Sequence, residues 1–306
     1  MAIALIATIV GILLIVAALV DVFQTLFHPA GRGAISDRLA QTIWRACRKV
    51  AEHRRRALTF AGPLAILGII CLWVVFTVVG FGLIYWPHLP TSFVAETGIP
   101  ESRWAQLPKA CISSVDALIT LSEGLNAKPA WLQALRGAEA IMGFGLLTAS
   151  MSWLLSLYPV LETRRSLAHA STLLHESERM HSIDIVRDGK GEVANWLFSM
   201  AGELSLLRNQ IEQFPIAQYF YIGEAKTGLA GALPYLANLG ERASRSGSIP
   251  LRVAGTMMGG AVRDFALLIA EGFLKVRVTD TRQILALYAR EQMSEPVTPT
   301  NQIAAD

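Results

Sequence analysis

The chain has 306 residues, of which 53% are hydrophobic and only 17% are charged. Soluble domains carry about 45–50% apolar and about 25% charged residues, so this composition points to a lipid bilayer. The formal net charge of +3 is too small to indicate a nucleic-acid partner.

Three charge-free stretches are long enough to cross a membrane, since a helix needs about 20 apolar residues to span ~30 Å of hydrocarbon. They are residues 1–20, 57–95 and 140–161. After Glu162 the longest charge-free run, residues 227–240, is too short and contains Pro234. A removable signal peptide is the alternative for the first stretch, but no basic residues precede it. We therefore expect an all-α membrane protein with three spanning helices.

Basic residues concentrate between the first two stretches. They are Arg32, Arg38, Arg45, Arg48, Lys49, Arg54, Arg55 and Arg56. Residues 87–130 contain only Arg103, Lys109 and Lys128 as basic residues. The positive-inside rule then predicts a multi-pass plasma (inner) membrane protein with its N-terminus outside and everything after residue 161 in the cytoplasm. The basic segment from Arg32 to Arg56 is expected to contact anionic lipids.

Within this basic segment the apolar residues recur at helical spacing. They are Ile35, Leu39, Ile43, Cys47 and Val50. The pattern is typical of an interfacial helix on the inner leaflet. The same pattern also fits an ordinary cytosolic helix whose apolar side packs on the C-terminal domain, so both interpretations stay open here.

The segment 107–126 carries the functional signal. Pro108 can open a helix, and residues 107–120 give roughly 20 Å of helix, enough to reach mid-membrane without crossing. Six following residues at ~3.3 Å each can regain the outer surface as extended chain. Such backbone is tolerated in a membrane only where protein covers it or it lines a water-filled path, which is the geometry of a selectivity filter.

Residues 110–126, ACISSVDALITLSEGLN, resemble the pore segment of the two-transmembrane potassium-channel superfamily, whose pattern is close to S-x-x-T-x-T-T-V-G-Y-G-D. The match places Ser114 on the pore-helix serine, Thr120 on the last threonine, Leu121 on the valine and Gly124 on the second glycine. The resemblance implies an outer helix, a re-entrant pore helix with a filter, and an inner helix, after one extra N-terminal helix. It also implies a homotetramer that passes monovalent or divalent cations passively, without enzymatic activity, resident metal or cofactor.

The filter, which we assign to Thr120, Leu121, Ser122, Glu123 and Gly124, departs from that pattern. Ser122 replaces the first glycine and resists a left-handed conformation by about 1–2 kcal/mol. Glu123 replaces the tyrosine, and Leu125 replaces the aspartate. Carboxylates of a fourfold ring ~6.5 Å apart would repel by about 2.5 kcal/mol per adjacent pair at a dielectric near 20, so full ionisation requires a bound cation. We expect a cation pore without potassium selectivity. Alternatively, Glu123 turns away and pairs with Lys128 or Arg103.

Two further residues are expected to support the filter. Asp116 lies on the pore helix, where its carboxylate can buttress Ser122 from behind, and Ser114 lies beside it. The alternative for Asp116 is a solvated surface acid. Ionisable groups at membrane depth are functional by default, which favours the supporting role.

The inner helix contains Gly143 and Gly145 near its middle. Glycine there permits either close packing or a hinge. Near its cytoplasmic end, Leu154, Leu157 and Tyr158 are candidates for a constriction on the pore axis.

The region after residue 161 is mostly helical in pattern. Breaks are expected at residues 188–191, at Phe214 and Pro215, and at residues 245–250. It has no dinucleotide-binding or phosphate-loop motif. Its histidines, His169, His175 and His181, lie six apart, do not share a helix face and do not indicate a metal site.

The predicted organisation has five segments. They are an N-terminal transmembrane helix (1–28), a basic cytoplasmic loop (29–61), a pore domain (62–161), a helical cytoplasmic domain (162–292) and a disordered tail (293–306). The sequence does not identify a protein partner for the cytoplasmic domain. Besides the pore-forming subunit, a non-conducting scaffold or signalling subunit of the same architecture remains as an alternative. A secondary transporter is disfavoured because no inverted repeat of broken helices is visible.

Overall fold

A computed structural model describes residues 2–27, 33–51, 55–95, 100–121, 125–188, 192–221 and 228–292. These residues form ten α-helices and one short antiparallel sheet. The chain divides into two compact units. The membrane unit comprises residues 1–40 and 66–156, and the C-terminal unit comprises residues 41–65 and 157–306.

Helices α1 (Ala2–Leu26) and α3 (Ala61–Tyr85) correspond to the first two predicted spans. Both are 25 residues long, enough to cross about 30 Å of hydrocarbon. They approach closely, because a Cβ atom on Gly11 would lie 2.5 Å from the carbonyl oxygen of Gly80. Small residues at such crossings let helix backbones pack tightly in a membrane.

The third predicted span is part of α5 (Ala130–His181), a helix of 52 residues that begins ten residues before the charge-free stretch. Glu139 directly precedes the charge-free stretch, which begins at Ala140. In the structure the helix starts after Pro129, so Glu139 lies well inside it.

A fourth helix, α9 (Ile249–Ile269), has the length and composition of a membrane span when its continuation to Leu274 is included. The sequence-based count of three passed over this helix because it contains Arg252, Arg263 and Asp264. In the most apolar 18-residue stretch of this helix 56% of the residues are buried inside the protein, whereas the share is 17% in the corresponding stretches of α1 and α5. The apolar face of α9 is therefore used largely in packing within the C-terminal unit.

Between α3 and α5 lies the 16-residue helix α4 (Arg103–Leu118). It begins four residues earlier than the sequence predicts, with Pro108 inside it rather than at its start. The reason is tertiary: the indole Nε1 of Trp86 donates to the carbonyl of Arg103 at 2.7 Å and fixes the first turn. The Arg103 guanidinium also lies 5.6 Å from the centre of the Trp86 ring.

Strands β1 (Phe93–Ala95) and β2 (Leu125–Ala127) flank α4 and pair antiparallel. Phe93 lies opposite Ala127, and Val94 lies opposite Asn126. The backbone N–H of Lys128 extends the ladder by donating to the Ser92 carbonyl at 2.9 Å. The two ends of the segment that contains α4 are thus joined side by side.

The C-terminal unit is a helical bundle. Its helices are α6 (Ile185–Asp188), α7 (Glu192–Gln213), α8 (Leu229–Ser244), α9 and α10 (Thr281–Gln292). Its core contains Leu197, Leu204 and Phe265, each fully buried.

Helix α7 ends just before the break expected at Phe214 and Pro215, and α8 ends just before the break expected at residues 245–250, although α9 already begins at Ile249. Residues 189–191 of the first expected break lie outside the described residues. The expectation for the tail, residues 293–306, lies outside the described residues.

Helix α2 (Ala34–Ala51) is the predicted helix of the basic segment. Its buried residues include Ala40 and Trp44, next to the predicted stripe rather than on it. Within the C-terminal unit the Trp44 ring packs 6.0 Å from Tyr219 and 5.7 Å from Phe273. Arg48 also forms an ion pair with Glu291. One face of α2 therefore packs on the C-terminal bundle, while Val50 of the predicted stripe stays exposed.

Candidate functional site

The candidate site is the turn that follows α4. Ile119 ends the helix, and Thr120 has a φ of 61°, in the left-handed region. A β-branched residue there is an outlier that costs on the order of 1–2 kcal/mol, and such strain concentrates at functional sites. Leu121 is half exposed. The other predicted filter residues, Ser122, Glu123 and Gly124, lie outside the described residues.

The C-terminal end of α4 is seated on α5. A Cβ atom on Gly143 would lie only 2.1 Å from the carbonyl oxygen of Leu118. This position therefore requires glycine, because any side chain would displace the end of α4. On the opposite side, a Cβ atom on Gly82 of α3 would lie 2.7 Å from the Cys111 Sγ. Two close approaches thus fix α4 between α3 and α5.

A buried polar cluster joins the same three helices. Glu139 of α5 is 0% exposed, and its carboxylate accepts hydrogen bonds from Tyr85 of α3, at 2.6 Å, and from Ser114 of α4. Tyr85 and Ser114 are also fully buried. An intramolecular hydrogen bond stabilises a fold by about 0.5–1.5 kcal/mol, and a buried polar group left unpaired costs about 1–3 kcal/mol. The three side chains therefore hold α4 in one position relative to its neighbours.

Arg136 lies one turn before Glu139 on α5 and reaches the segment on both sides of the candidate filter. Its Nη1 donates to the Ser113 hydroxyl at 2.8 Å and to the Leu125 carbonyl at 2.6 Å. Ser113 is on α4, before the filter, whereas Leu125 is the first residue of β2, after it. A single guanidinium thus sets the spacing between the entry and the exit of residues 114–124.

Ser114 is at the predicted site, but its partner is Glu139. Asp116 is half-buried, and the structure gives it no hydrogen bond with another described residue. Its predicted contact with Ser122 falls on a residue outside the described part of the chain. The two alternative partners of Glu123 make other contacts: Lys128 donates to the Thr91 carbonyl at 3.4 Å, and Arg103 packs on Trp86.

Further along α5 the predicted residues are not brought to a common face. Gly145 has no atom within 4 Å of the place where its Cβ would lie, so packing does not require glycine there. Leu157 is 2% exposed, whereas Tyr158 is 61% exposed. Leu154 is half-buried. Leu157 is thus buried within the protein in this conformation, and a constriction formed by Leu154, Leu157 and Tyr158 stays a prediction.

Sequence reasoning missed Tyr85, Arg136 and Glu139. The signal was present at Pro129, because proline favours the first turn of a helix. A helix that begins there places Glu139 about 14 Å from the start of the helix, at ~1.5 Å per residue. An acid at that depth is a functional candidate by default.

Outside the membrane unit, the main ionic cluster lies where α5 ends. Arg242 of α8 contacts Glu178 at 3.2 Å and Asp184 at 2.8 Å. Tyr235 donates to Glu178 at 2.8 Å, and the ring of His175 packs 4.5 Å from the Tyr235 ring. Burial works to raise the pKa of Asp184, but the backbone N–H of Val186 and the guanidinium of Arg242 lower that pKa below its ordinary value. Burial and the Glu178 carboxylate raise the pKa of Tyr235. These contacts hold α8 against the end of α5.

Among the described residues no cluster of His, Cys, Asp and Glu is suited to hold a metal ion.

No family model matches the chain, and no solved structure matches it. Over 217 residues it is 27% identical to "Uncharacterized membrane protein YdjJ" of Bacillus subtilis (strain 168). The matched part is 70% of this chain and 62% of that protein, so the chain spans less than two thirds of the length of this relative. Together with the long apolar helices α1, α3 and α5, this similarity identifies the chain as an all-helical membrane protein.

Proposed function

We propose that the protein is the pore-forming subunit of a homotetrameric cation channel, with the segment from β1 to β2 as a re-entrant pore loop. The observation that carries the proposal is the pairing of β1 with β2 around a helix too short to cross the membrane. At ~1.5 Å per residue, α4 is about 24 Å long, less than the ~30 Å of hydrocarbon. The chain enters with α4 and leaves on the side from which it came.

Depth along α5 supports this path. If α5 begins at the outer interface, Gly143 lies about 20 Å deep and Arg136 about 9 Å deep at ~1.5 Å per residue. Leu118 contacts Gly143, and Leu125 binds Arg136. The chain therefore rises by about 11 Å between the two points, which extended residues at ~3.3 Å each can cover.

The chemistry at the end of α4 favours a cation. The C-terminus of a helix carries about half a negative charge, which stabilises positive ions within its last turn. Thr120 reverses the chain directly at this end, and Glu123 follows in the filter segment. One such segment per chain supplies a quarter of a ring, so four copies are needed to surround an ion.

We also propose that the N-terminus faces outside and the C-terminus the cytoplasm, in a plasma (inner) membrane. The basic residues between α1 and α3 support this orientation. Protease treatment of sealed right-side-out vesicles should remove a tag placed before Met1 and spare one placed after Asp306. The reverse pattern would contradict the orientation.

The test of the function is cation flux into liposomes that contain the purified full-length protein. The wild type should pass cations, and Glu123→Gln should change the ratio of divalent to monovalent flux. Glu101→Gln, an exposed acid of the same outer segment, is the matched control and should leave the ratio unchanged. If no condition yields flux and substitutions at Ser122 and Glu123 are silent, a non-conducting scaffold that keeps the same architecture replaces the channel.

A further inference from the structure

A cavity of about 260 Å³ lies among α1, α3 and α5 in the membrane unit. Its lining includes Leu19 and Val22 of α1, Trp73 and Thr77 of α3, and Met142 and Gly145 of α5. The described filter residues, Thr120 and Leu121, are not part of this lining. Neither the buried cluster around Glu139 nor the contacts of Arg136 involve its lining.

The polar groups of the lining are already satisfied within the protein. The Trp73 indole Nε1 donates to the Asp21 carboxylate at 2.9 Å, and the Thr77 hydroxyl donates to the Trp73 carbonyl at 2.8 Å. Asp21 in turn accepts from the backbone N–H of Ile35 at 2.9 Å. A buried water needs two to four polar partners, so the cavity offers none of the contacts that would hold water. Its occupant must be apolar.

Size and shape narrow the class of occupant. The cavity is larger than the ~150 Å³ apolar cavity that holds benzene and below the ~300 Å³ at which sites for drug-sized ligands begin. Leu19 of α1 and Phe27, directly after α1, both line it and are about 12 Å apart along the helix axis at ~1.5 Å per residue. A long and narrow hydrocarbon fits these dimensions better than a compact ring system does.

The rim of the cavity faces the surroundings of the membrane unit. Leu19 is 46% exposed and Phe27 is 66% exposed. The rest of α1 also exposes apolar side chains, among them Ile9, Leu13 and Val16. In a bilayer such a surface is bathed in lipid hydrocarbon, so an acyl chain has direct access to the cavity.

We propose that one acyl chain of a bilayer lipid occupies this cavity as a defined binding site. The site is built by the N-terminal helix α1, and its wall on α5 is open at Gly145, where no atom lies within 4 Å of the Cβ position. The proposal concerns lipid binding alone. It therefore stands or fails separately from ion conduction.

The test uses the full-length protein in bilayers of phosphatidylglycerol that carries a photoreactive diazirine in one acyl chain. After irradiation, mass spectrometry locates the labelled residues. In the wild type, label should concentrate on lining residues such as Val22, Trp73 and Met142. Gly145→Leu should fill the cavity and abolish most of this label, and Gly145→Ala should reduce it less.

The matched control is Gly137→Leu, because Gly137 is an exposed glycine of the same helix with no atom within 4 Å of its Cβ position and lies outside the cavity. It should leave the label at wild-type level. Label spread evenly over the exposed apolar residues of α1 would mean ordinary lipid contact and overturn the proposal. Disulfide cross-linking of cysteines introduced at lining residues gives a second outcome. If these residues stay unlabelled by lipid and instead cross-link to a second copy of the chain, the proposal is overturned as well.

Discussion

The phenol of Tyr85 donates a 2.6 Å hydrogen bond to the Glu139 carboxylate, and neither side chain is exposed at all. This contact links α3 to α5, and Ser114 brings α4 to the same carboxylate. One buried carboxylate thus joins three helices of the membrane unit.

We expect Glu139→Ala to destabilise the protein more than Tyr85→Phe does. Removing the carboxylate leaves two buried hydroxyl groups unpaired, whereas Tyr85→Phe leaves Ser114 bound to Glu139. An unsatisfied buried polar group costs about 1–3 kcal/mol. Thermal unfolding in detergent measures both, and the double variant should lose less than the sum of the two. Tyr158→Phe, at an exposed tyrosine, is the control; equal effects at Tyr85 and Tyr158 would contradict the role of the cluster.

Arg136→Gln should reduce discrimination between cations, because it releases both Ser113 and the Leu125 carbonyl. Arg136→Lys should show much of the same defect, since an ammonium group does not reproduce the planar guanidinium. Reversal potentials under bi-ionic conditions measure the change. Lys128→Gln is the control, because it removes one positive charge just as Arg136→Gln does. This prediction rests on the proposed function. A normal reversal potential in Arg136→Gln would show that the spacing it sets does not control ion choice.

Gly143→Ala should displace the end of α4, because the added methyl group meets a backbone carbonyl rather than a flexible side chain. Overpacking of this kind costs about 1–3 kcal/mol. Hydrogen exchange should accelerate in residues 113–121 of the variant. Gly137→Ala should be neutral or stabilising by up to about 1 kcal/mol, since alanine is the better helix former and nothing lies near its Cβ. Unchanged exchange in Gly143→Ala would rule out the close seating of α4.

Asp184 should stabilise the C-terminal unit only while it is ionised. Its pKa is lowered in the folded protein, so its contribution is fully present above the unfolded value of about 3.9 and is lost as pH falls through the folded value. The difference in melting temperature between wild type and Asp184→Asn should therefore be constant near neutral pH and vanish in acid. The effect should be small, about 1 kcal/mol or less, because Asp184 is partly exposed. A difference that persists at pH 2 would indicate a role other than charge.

Hydropathy predicted α1, α3 and much of α5 because spanning a bilayer imposes a length that the sequence displays directly. Pro108 and the following uninterrupted segment predicted a helix over residues 107–120, but they did not predict its start at Arg103. The hydrogen bond from Trp86 to Arg103 is a contact between residues 17 apart, and no local pattern announces it.

The polar cluster was beyond sequence reasoning for a related reason. Glu139 directly precedes an apolar run, and a charge at such a place normally marks the end of a membrane span. Its burial depends on partners from two other helices, Tyr85 and Ser114, which come together only in the fold. Likewise, the packing of Trp44 on Tyr219 was one of two alternatives that periodicity could not separate.

The contacts that hold the segment between β1 and β2 in place are made by residues other than 122–124. Its anchors are the strand ladder, the seat of Leu118 on Gly143 and the two bonds of Arg136, and none of them uses residues 122–124. Substitutions at these three positions therefore leave each of these anchors with both of its partners. Under the proposed channel function, ion choice is then a property that substitutions at residues 122–124 can alter while these anchors stay in place.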